Sequence, residues 1–571
     1  MPGVVPTVSG LPYYYVRGAP PSAVGYFVDD VRVPYLFHFA LGPSVIHPAL
    51  IDEVSLHPAA FPGRYGRFAG AIVAGKTREA PTELRGEGNV RLFDAGAFAE
   101  APFADGRASV GLGGRFSYTG PLFSVFAPDT SVEYRDYNAR ASYAVDDRWR
   151  LSLLSFGAYD LASQMEPRYD GVKEENVLFA SEFHRIDLRA DRRGDDGAES
   201  RVGVTFGIDR TRIDARRFAQ DVMVALRGRH LARVTSQLSV EAGIDATVDR
   251  FTGDLPSPWA VSPSEYQELS TFFSPRTETS AGAWLSGAWR WQGGVRMVAT
   301  ARADVFTSAG EIAVGPSPRI AAHVPLDRKT RFLAAMGTAT QRPAFAIPLP
   351  AVGYRGFPGG LTYGWQKSAT IERDLPLEIT ARATGFHHSY FNQHDLGRPR
   401  AGFELELPLP VPSAPTQAYG LELQLNRRLS KRIGAFVSYT LSRAEVGSTE
   451  RQRSRVSPFD RTHVLQFGVA ANVYRGWHLS GRLLTYSGWS QVAGTTDPNE
   501  DERLPAFWRV DARVEHRWSL GTTGRLSLVL EALNASAQTE IVSRSCARNG
   551  ACVLHELGPV VAPSIGLEGA L

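Results

Sequence analysis

Apolar and polar residues alternate along most of this chain with a period of two, as they do in β-strands that have one apolar and one polar face. The segment WRVDARVEHRW, residues 508–518, shows the pattern most clearly. Its apolar face is broken only by His516 and comprises Trp508, Val510, Ala512, Val514 and Trp518. Its other face is charged at every position and comprises Arg509, Asp511, Arg513, Glu515 and Arg517. Tryptophan at both ends of an apolar face predicts a strand that crosses a membrane beside a polar lumen.

Similar segments follow one another through the last third of the chain, and the connections between them alternate in length. Strands are predicted at 419–426, 434–441, 465–473, 477–483, 508–518, 526–532 and 565–571. The connections are short at 429–433, 474–477 and 518–525, and long and polar at 444–462, 488–506 and 535–562. This alternation is typical of an up-and-down barrel in an outer membrane, with short periplasmic turns and long extracellular loops. Hairpin-turn signals at Asp105-Gly106 and Asp146-Asp147 extend the pattern toward the N-terminus.

Composition narrows the class of protein. The 571 residues carry a formal net charge of +3, with 21% charged residues and no strongly basic run, which gives little support to nucleic-acid binding. No stretch of about 18 apolar residues occurs, so membrane-spanning helices are excluded. We predict an all-β membrane protein, a large antiparallel up-and-down transmembrane β-barrel of about 22 strands. A large soluble β-sandwich is the alternative, but such a fold does not need an aromatic residue at each end of a strand.

The first 80 residues differ from the rest, and a lumen as wide as the predicted one must be plugged. They contain short mixed strands broken by Gly and Pro. Their motifs, in chain order, are Val16-Arg17-Gly18, Tyr26 to Val31, Ile51 to Val54 followed by Pro62 to Gly66, and Gly70 to Val73. Three barrel motifs add to the set, at Ser457 to Val464, Leu504 to Asp511 and Leu530 to Asn534. Together they resemble the TonB-dependent outer-membrane receptor family over almost the whole chain, with Asp30 replacing the glycine usual in the second motif.

The resemblance implies two domains, a partial mixed α/β plug at 1–80 and a transmembrane β-barrel at 81–571. It implies an outer-membrane receptor of a Gram-negative bacterium that binds a scarce nutrient at the cell surface. The receptor would import that nutrient to the periplasm with energy from a TonB-type inner-membrane protein. The expected partners are a small-molecule nutrient such as a metal chelate, the TonB-type protein and outer-membrane lipid, and the expected state is a monomer. The residues predict no catalytic arrangement, cofactor or metal site, so an enzyme is not expected.

The N-terminus departs from the family pattern. Pro2-Gly3-Val4 resembles a motif that the family has well inside the plug, so a signal peptide, a TonB box and the first plug strands are expected upstream of Met1. Because no TonB contact can be named, the alternative is a surface-binding barrel without transport, or a truncated remnant without TonB coupling. A passive porin is a third alternative, which the plug-like first 80 residues disfavour. The ligand stays open among iron chelates, cobalamin, glycans and peptides, all of which relatives carry.

Ligand contacts are predicted at an aromatic-rich plug apex and on the lumen face of the strand that follows Asp374. The candidates are Tyr35, Phe37, His38, Arg382, His388 and Tyr390. Packing against the barrel wall explains the plug residues equally well. Rim packing is favoured over a metal or chelate contact for the strand residues, although His394 and Asp395 are near in sequence, because His387 points away from the lumen.

Two further sets of residues are predicted to have structural or mechanical roles. Charges inside the lumen must be paired, so plug–barrel salt bridges that also couple plug movement to transport are predicted for Arg17, Asp29, Arg64 and Arg67. Cys546 and Cys552 flank five residues of the last long loop and are predicted to form a disulfide on the cell surface.

Overall fold

The computed structural model describes residues 2–7, 13–39, 42–118, 129–167, 172–212, 217–255, 257–259, 262–393, 415–429, 432–447, 455–457, 460–492, 501–546 and 552–571.

Six short strands lie within the first 80 residues, the segment that we call the plug. Its strands are β1 (Val4–Pro6), β2 (Tyr14–Val16), β3 (Val24–Val28), β4 (Val31–Val33), β5 (Ile51–His57) and β6 (Ala71–Thr77). The sheet order β4-β3-β6-β5 has β3 and β6 in parallel at its centre, while β1 and β2 form a separate antiparallel pair. Two short 3₁₀ turns, Pro21–Ala23 and Pro48–Leu50, complete the described regular structure of the plug. Val28 pairs with Val31 across the Asp29–Asp30 turn, so the hairpin predicted at Tyr26 to Val31 is present.

The remaining strands build the barrel and two of its outer loops. The first half comprises β7 (Arg85–Arg91), β8 (Asp94–Phe103), β9 (Ala108–Ser117), β10 (Thr130–Ala144), β11 (Trp149–Pro167), β12 (Lys173–Arg193), β13 (Glu199–Arg212), β14 (Phe218–Arg233), β15 (Leu238–Gly253), β16 (Arg276–Arg290), β17 (Arg296–Ser308), β18 (Glu311–Pro316), β19 (Arg319–Pro325) and β20 (Thr330–Gln341). The second half comprises β21 (Thr362–Leu375), β22 (Ile379–Phe391), β23 (Thr416–Arg427), β24 (Ile433–Val446), β25 (Arg455–Val456), β26 (His463–Tyr474), β27 (Trp477–Tyr486), β28 (Ser490–Val492), β29 (Asp501–Arg503), β30 (Phe507–Leu520), β31 (Gly524–Leu533), β32 (Glu540–Cys546), β33 (Cys552–Leu557) and β34 (Ala562–Ala570).

The barrel closes where β34 pairs with β7. Two barrel strands are interrupted. Segments β18 and β19 both pair with β17 and count as one strand, and segments β25 and β26 both pair with β24 and count as another. The described residues thus form a closed antiparallel barrel of 22 strands, as predicted. The hairpins β28–β29 and β32–β33 lie outside it, in two of the long loops.

The length of the connections distinguishes the two ends of the barrel. One end has short turns, among them residues 104–107, 145–148, 475–476 and 521–523. The other end carries the long loops, including residues 342–361 and 534–561, although residues 92–93 and 309–310 make short turns there as well. We refer to the first end as periplasmic and to the second as outer, following the usual orientation of such barrels.

The alternation predicted from the sequence sets the two faces of the wall. Trp508 and Trp518 are each 43% exposed and point outward, whereas Arg509, Asp511 and Glu515 are buried in the lumen. His516 lies between two outward-facing rings, with its centroid 4.7 Å from that of Trp477 and 4.5 Å from that of Trp518. Charged side chains on the lumen face also pair between neighbouring strands. The Arg513 guanidinium donates to Glu531 at 2.7 Å and to Glu568 at 2.9 Å.

Among the described residues, the helices are one α-helix, α1 (Pro263–Phe273), in the outer loop after β15, and short 3₁₀ turns such as Gln292–Gly294. None of these helices has the length and apolar character needed to cross a membrane. The plug fills part of the lumen, and one apolar cluster joins plug strands to the wall, with Tyr26, Val31 and Tyr35 packed near Phe156 and Phe183.

Candidate functional site

The contacts between plug and barrel form the candidate functional site, and one of them joins Arg17 to Glu422 on β23. Nε and Nη2 of Arg17 each donate to a different carboxylate oxygen at 2.8 Å, and both side chains are buried. The guanidinium also lies 4.8 Å from the ring centroid of Phe386. Gly18 follows with φ +74°, and a Cβ there would come within 2.6 Å of the Ala418 Cβ. The Arg17-Gly18 motif therefore combines a charged contact with a close approach to the wall.

Arg67 makes a second ion-pair contact, with strands β15 and β17 of the wall. Its guanidinium pairs with Asp245 on β15, and its Nε donates to the Asp304 carboxylate at 3.2 Å. Thr247 accepts a further bond from Nη1 at 3.3 Å. Arg67 has φ +67°, so the turn that carries it holds a conformation unusual for a side-chain-bearing residue.

The hairpin tip of the plug, Asp29–Asp30, contacts the wall near its periplasmic end. Asp29 accepts bonds from the Thr77 amide at 2.9 Å and from Arg189 of β12 at 3.1 Å. Asp30 pairs with Arg64 at 3.1 Å and with Arg201 of β13 at 3.2 Å. Burial raises the pKa of Asp30, but the nearby arginines outweigh this and lower it to about 2. Arg64 thus pairs with Asp30 inside the plug, and Asp30 makes the contact with the barrel. The sequence did not indicate that Asp30, rather than Arg64, would reach the wall.

His38 is enclosed by two carboxylates of the wall. Its Nδ1 lies 3.0 Å from Asp160 of β11 and its Nε2 lies 3.2 Å from Asp136 of β10, and all three side chains are buried. The Phe39 amide donates to the same Asp160 carboxylate at 3.0 Å. Because each ring nitrogen faces a carboxylate, both must carry a proton, and His38 is an imidazolium here. Burial lowers the pKa of His38, but Asp160 and Asp136 raise it to about 8.

The two aromatic candidates beside His38 differ in exposure. Tyr35 is buried, its ring is 5.2 Å from that of Phe183, and its hydroxyl donates to the Ser181 carbonyl at 3.4 Å. Phe37 is 38% exposed and meets Tyr14 edge to face at 6.3 Å. This plug segment lies in the outer half of the lumen, because Asp160 is closer to the outer end of β11 than to its periplasmic end. Of the three predicted plug contacts, Phe37 is the one with a large exposed surface.

The three candidates on β22 do not form one site. Arg382 lies close to the periplasmic end of the strand and pairs with Glu372 of β21. His388 and Tyr390 lie toward the outer end, but both are buried; Tyr390 packs against Ala19, Ala23 and Ala69 of the plug. The Tyr390 hydroxyl and the His388 Nδ1 are 3.0 Å apart. His387 points away from the lumen and stacks on Tyr419, as the sequence indicated, whereas His394 and Asp395 lie outside the described residues.

Several wall residues hold the plug without having been singled out in the sequence. Arg319 of β19 donates to the carbonyls of Phe61, Pro62 and Tyr65, with Nη1 distances of 3.1, 3.4 and 2.9 Å. Arg302 of β17 donates to the Gly63 carbonyl at 3.0 Å. These side chains bind main-chain carbonyls, whose positions depend on how the plug sits in the lumen, so no local sequence signal marks them.

Two glutamines make the corresponding contacts near the outer end of the wall. Gln341 of β20 accepts from the Ala69 amide and donates to the Ser22 carbonyl, both at 2.9 Å. Gln366 of β21 donates to the Ala69 carbonyl at 2.9 Å. The outer loop that begins after Gln341 continues this contact, because the Ala346 carbonyl accepts a bond from the Ser22 amide at 3.1 Å. This part of the plug is therefore connected directly to an extracellular loop.

The two cysteines lie in the β32–β33 hairpin of the last long loop. Cys546 and Cys552 are paired directly opposite each other in its register. Cys552 is in the disulfide-bonded state. Both facts support the disulfide predicted for this surface hairpin.

Comparison with known proteins agrees with this architecture. Residues 84–535 match the family described as TonB dependent receptor-like, beta-barrel. None of the curated proteins compared by sequence is similar to the chain. Among solved structures, a mutant of the ferric enterobactin receptor PfeA from Pseudomonas aeruginosa aligns with a TM-score of 0.74 at 12% identity, covering 100% of this chain and 94% of that one.

Two other solved structures show the same fold. The siderophore receptor PirA from Acinetobacter baumannii has a TM-score of 0.73 at 11% identity and covers 100% of this chain and 94% of its own. The FrpB iron transporter from Neisseria meningitidis has a TM-score of 0.72 at 12% identity, with 100% and 95% covered. The chain is a protein of the Gram-negative outer membrane and belongs to the TonB-dependent receptor-like β-barrel family.

Proposed function

We propose that the protein binds a scarce nutrient at the cell surface and imports it to the periplasm with energy from a TonB-type inner-membrane protein. The family is one of outer-membrane nutrient receptors rather than enzymes, which supports this class of function.

The plug–barrel contact combines apolar packing with ion pairs and hydrogen bonds, and its polar part is the observation that carries the proposal. Ion pairs at Arg17 and His38, which are buried, and at Arg67, which is partly buried, are joined by hydrogen bonds from Arg319, Gln341 and Gln366 to plug carbonyls. Water can replace each of these polar bonds once the plug moves, whereas the apolar part of the contact, such as Tyr35 against Phe183, exposes its surface at a cost of about 25 cal/mol per Å². A plug held in this way can be shifted without unfolding the wall, as transport through a plugged barrel requires.

An iron chelate is the ligand class best supported by the comparisons. The solved structures similar to this chain include a receptor in complex with enterobactin and an iron transporter. In this chain, Phe37 and Tyr14 offer an aromatic surface at the apex of the plug, which suits a planar or aromatic chelate. We assign the ligand contact to Phe37 and a supporting role to Tyr35 and His38, which fix the apex to the wall.

Uptake and surface binding have to be measured separately to test this proposal. A strain lacking the gene is grown under iron limitation on a panel of ferric chelates, with cobalamin, glycans and peptides as other nutrient sources. Binding of the labelled nutrient to cells at 0 °C reports the receptor step, and its uptake at growth temperature, with and without a protonophore, reports the energised step. Binding without energy-dependent uptake would favour the surface-binding alternative.

A matched pair of variants connects the test to the structure. Arg17→Gln removes a plug–wall ion pair, while Arg382→Gln removes an ion pair that lies within the wall at Glu372. We expect Arg17→Gln to change uptake while leaving surface binding intact, and Arg382→Gln to change neither. Equal effects of the two substitutions on uptake would contradict a coupling role for Arg17.

A further inference from the structure

A cavity of about 1060 Å³ lies between the plug and the wall at the periplasmic end of the lumen. The plug contributes the tip residues Asp29 and Asp30, and the wall contributes Arg189, Arg201 and Arg229 on three successive strands. The lining extends to the periplasmic turns at residues 105–106 and 146–148, so the cavity reaches the rim of the barrel. The tip thus stands at the inner end of a polar space that faces the periplasm.

Both tip residues adopt a backbone conformation that favours glycine. Asp29 has φ +49° and Asp30 has φ +70°. A residue with a side chain in this region costs about 1–2 kcal/mol relative to the right-handed form, and asparagine and aspartate tolerate it best. At the position of Asp30 the family motif usually has glycine. This chain therefore has a carboxylate at a position where the backbone conformation alone favours a residue without a side chain.

The carboxylates are held by arginines, which supplies a reason for keeping them. Asp29 receives Arg189 at 3.1 Å, and Asp30 receives Arg201 at 3.2 Å. The wall arginines in this region are Arg189, Arg201, Arg227 and Arg229, and the described wall carboxylates that pair with them are Asp187, Asp191 and Glu241. Asp191 is shared by Arg189 and Arg201, at 3.0 and 2.6 Å, so these two arginines have one wall carboxylate between them. The positive charge that remains on the wall is neutralised by the tip.

We propose that the Asp29–Asp30 tip is a removable counter-anion, and that the wall arginines Arg189 and Arg201 form an anion-binding site which the tip occupies while the plug is seated. When the tip withdraws, the site takes carboxylate or other anionic groups of the cargo on their way to the periplasm. This inference rests on the proposed function, and it adds the charge of the cargo and the side of the lumen along which it leaves.

Ion conductance through the purified full chain in a planar lipid bilayer tests the site without any nutrient or TonB-type protein. A potassium chloride gradient across the bilayer gives both the conductance and the preference for chloride or potassium. We expect Asp29→Asn with Asp30→Asn to raise the conductance above that of the unsubstituted chain. We also expect the chloride-to-potassium permeability ratio to rise by about tenfold, since a cleft lined by one sign of charge concentrates counter-ions by roughly that factor.

Further variants separate charge from backbone strain and locate the anion site. Asp30→Gly relieves the left-handed strain and removes the carboxylate, while Asp30→Asn removes only the charge; equal increases in chloride preference identify the charge as the cause. Adding Arg189→Gln and Arg201→Gln to the double-asparagine variant should abolish the chloride preference and keep the higher conductance. Glu53→Gln is the matched control, because Glu53 lines the same cavity but accepts a hydrogen bond from Ser55 of the plug, and it should behave as the unsubstituted chain.

Heat-modifiable mobility on SDS gels shows whether each variant retains its barrel. An intact barrel with unchanged conductance in the double-asparagine variant would overturn the proposal, as would a chloride preference that persists without Arg189 and Arg201. A failure of nutrient import leaves the conductance result untouched, so the two proposals can fail separately.

Discussion

The guanidinium of Arg17 and the carboxylate of Glu422 meet through two hydrogen bonds of 2.8 Å, although 405 positions separate them in the chain. Arg17 belongs to the plug and Glu422 to the middle of a membrane-spanning strand, and each side chain is only 4% exposed. The pair therefore anchors the plug at a point where no solvent can replace a lost partner, unless the plug itself moves.

Removal of one member of this pair should loosen the plug more than removal of both. Arg17→Gln or Glu422→Gln leaves a buried charge without a partner, which costs about 3–5 kcal/mol. The double variant leaves two neutral groups and should recover a large part of that loss. Amide hydrogen exchange of β1 and β2 measures the effect. Equal exchange rates in the single and double variants would show that the two groups do not interact energetically.

The His38 contact should make seating of the plug depend on pH in a defined direction. The ordinary histidine pKa is about 6.5 and its value here is about 8, so the imidazolium favours the seated plug. This stabilisation is complete below about pH 6.5 and is lost as the pH rises through about 8. At one unit of pKa per 1.36 kcal/mol, it amounts to about 2 kcal/mol.

Denaturation of the plug between pH 6 and pH 9 measures the His38 effect. His38→Asn should remove the loss of stability above pH 6.5. His57→Asn is the control, because burial lowers the pKa of His57 and its contribution has the opposite sign. A pH profile that is unchanged by His38→Asn would assign the dependence to another group.

Alanine substitutions at Gly18 and Gly106 distinguish the effect of close packing from the effect of backbone strain. Both have positive φ, +74° and +82°, but a Cβ on Gly18 would meet Ala418 at 2.6 Å, whereas a Cβ on Gly106 has open space around it. Gly106→Ala should cost only the conformational preference, about 1–2 kcal/mol. Gly18→Ala should cost about 1–3 kcal/mol in addition, because the plug must move away from the wall.

Protease sensitivity of the plug and thermal unfolding of the barrel distinguish the two glycine effects. Gly18→Ala should expose the plug to cleavage, while Gly106→Ala should slightly lower the unfolding temperature of the barrel and leave the plug protected. Cleavage at the same rate in both variants would contradict the close approach at Gly18.

A charge introduced at two neighbouring positions of β23 should change the stability of the barrel by different amounts. Leu423 faces lipid with 42% of its surface exposed, and Gln424 is half-buried on the lumen side. Leu423→Arg should destabilise the barrel by about 2–4 kcal/mol if it lies near the bilayer midplane, whereas Gln424→Arg should be nearly neutral. Reversible unfolding in lipid vesicles measures the difference, and similar losses at both positions would contradict the assignment of the two faces.

The fold could be predicted to a large extent because its main signal is local. The alternation at 508–518 fixes which residues face lipid, and the alternating lengths of the connections fix the end of the barrel at which each turn lies. These features depend on the geometry of one strand and its turn. They gave the barrel, its approximate strand number and the plug-like character of the first 80 residues.

The candidate site could be predicted only in part, because its partners are distant in sequence. Arg17 and Arg67 could be recognised as charges that need partners. The residues near them in the sequence, however, do not indicate that Glu422 and Asp304 are those partners. For His38 a ligand contact and packing against the wall were equally open, and the fold encloses it between Asp136 and Asp160 of the wall. Arg64 was expected to reach the wall, whereas Asp30 takes that place.

The sequence by itself determined the strand pattern, the two faces of the wall and the family motifs of the plug, since each depends on residues close together in the chain. Only the tertiary structure decided which lumen charges meet and which plug residues keep a free surface. Closure of 22 strands around the plug sets those contacts. Arg319 and Gln366 bind main-chain carbonyls, which every residue has, so the sequence cannot show which of them will be bound.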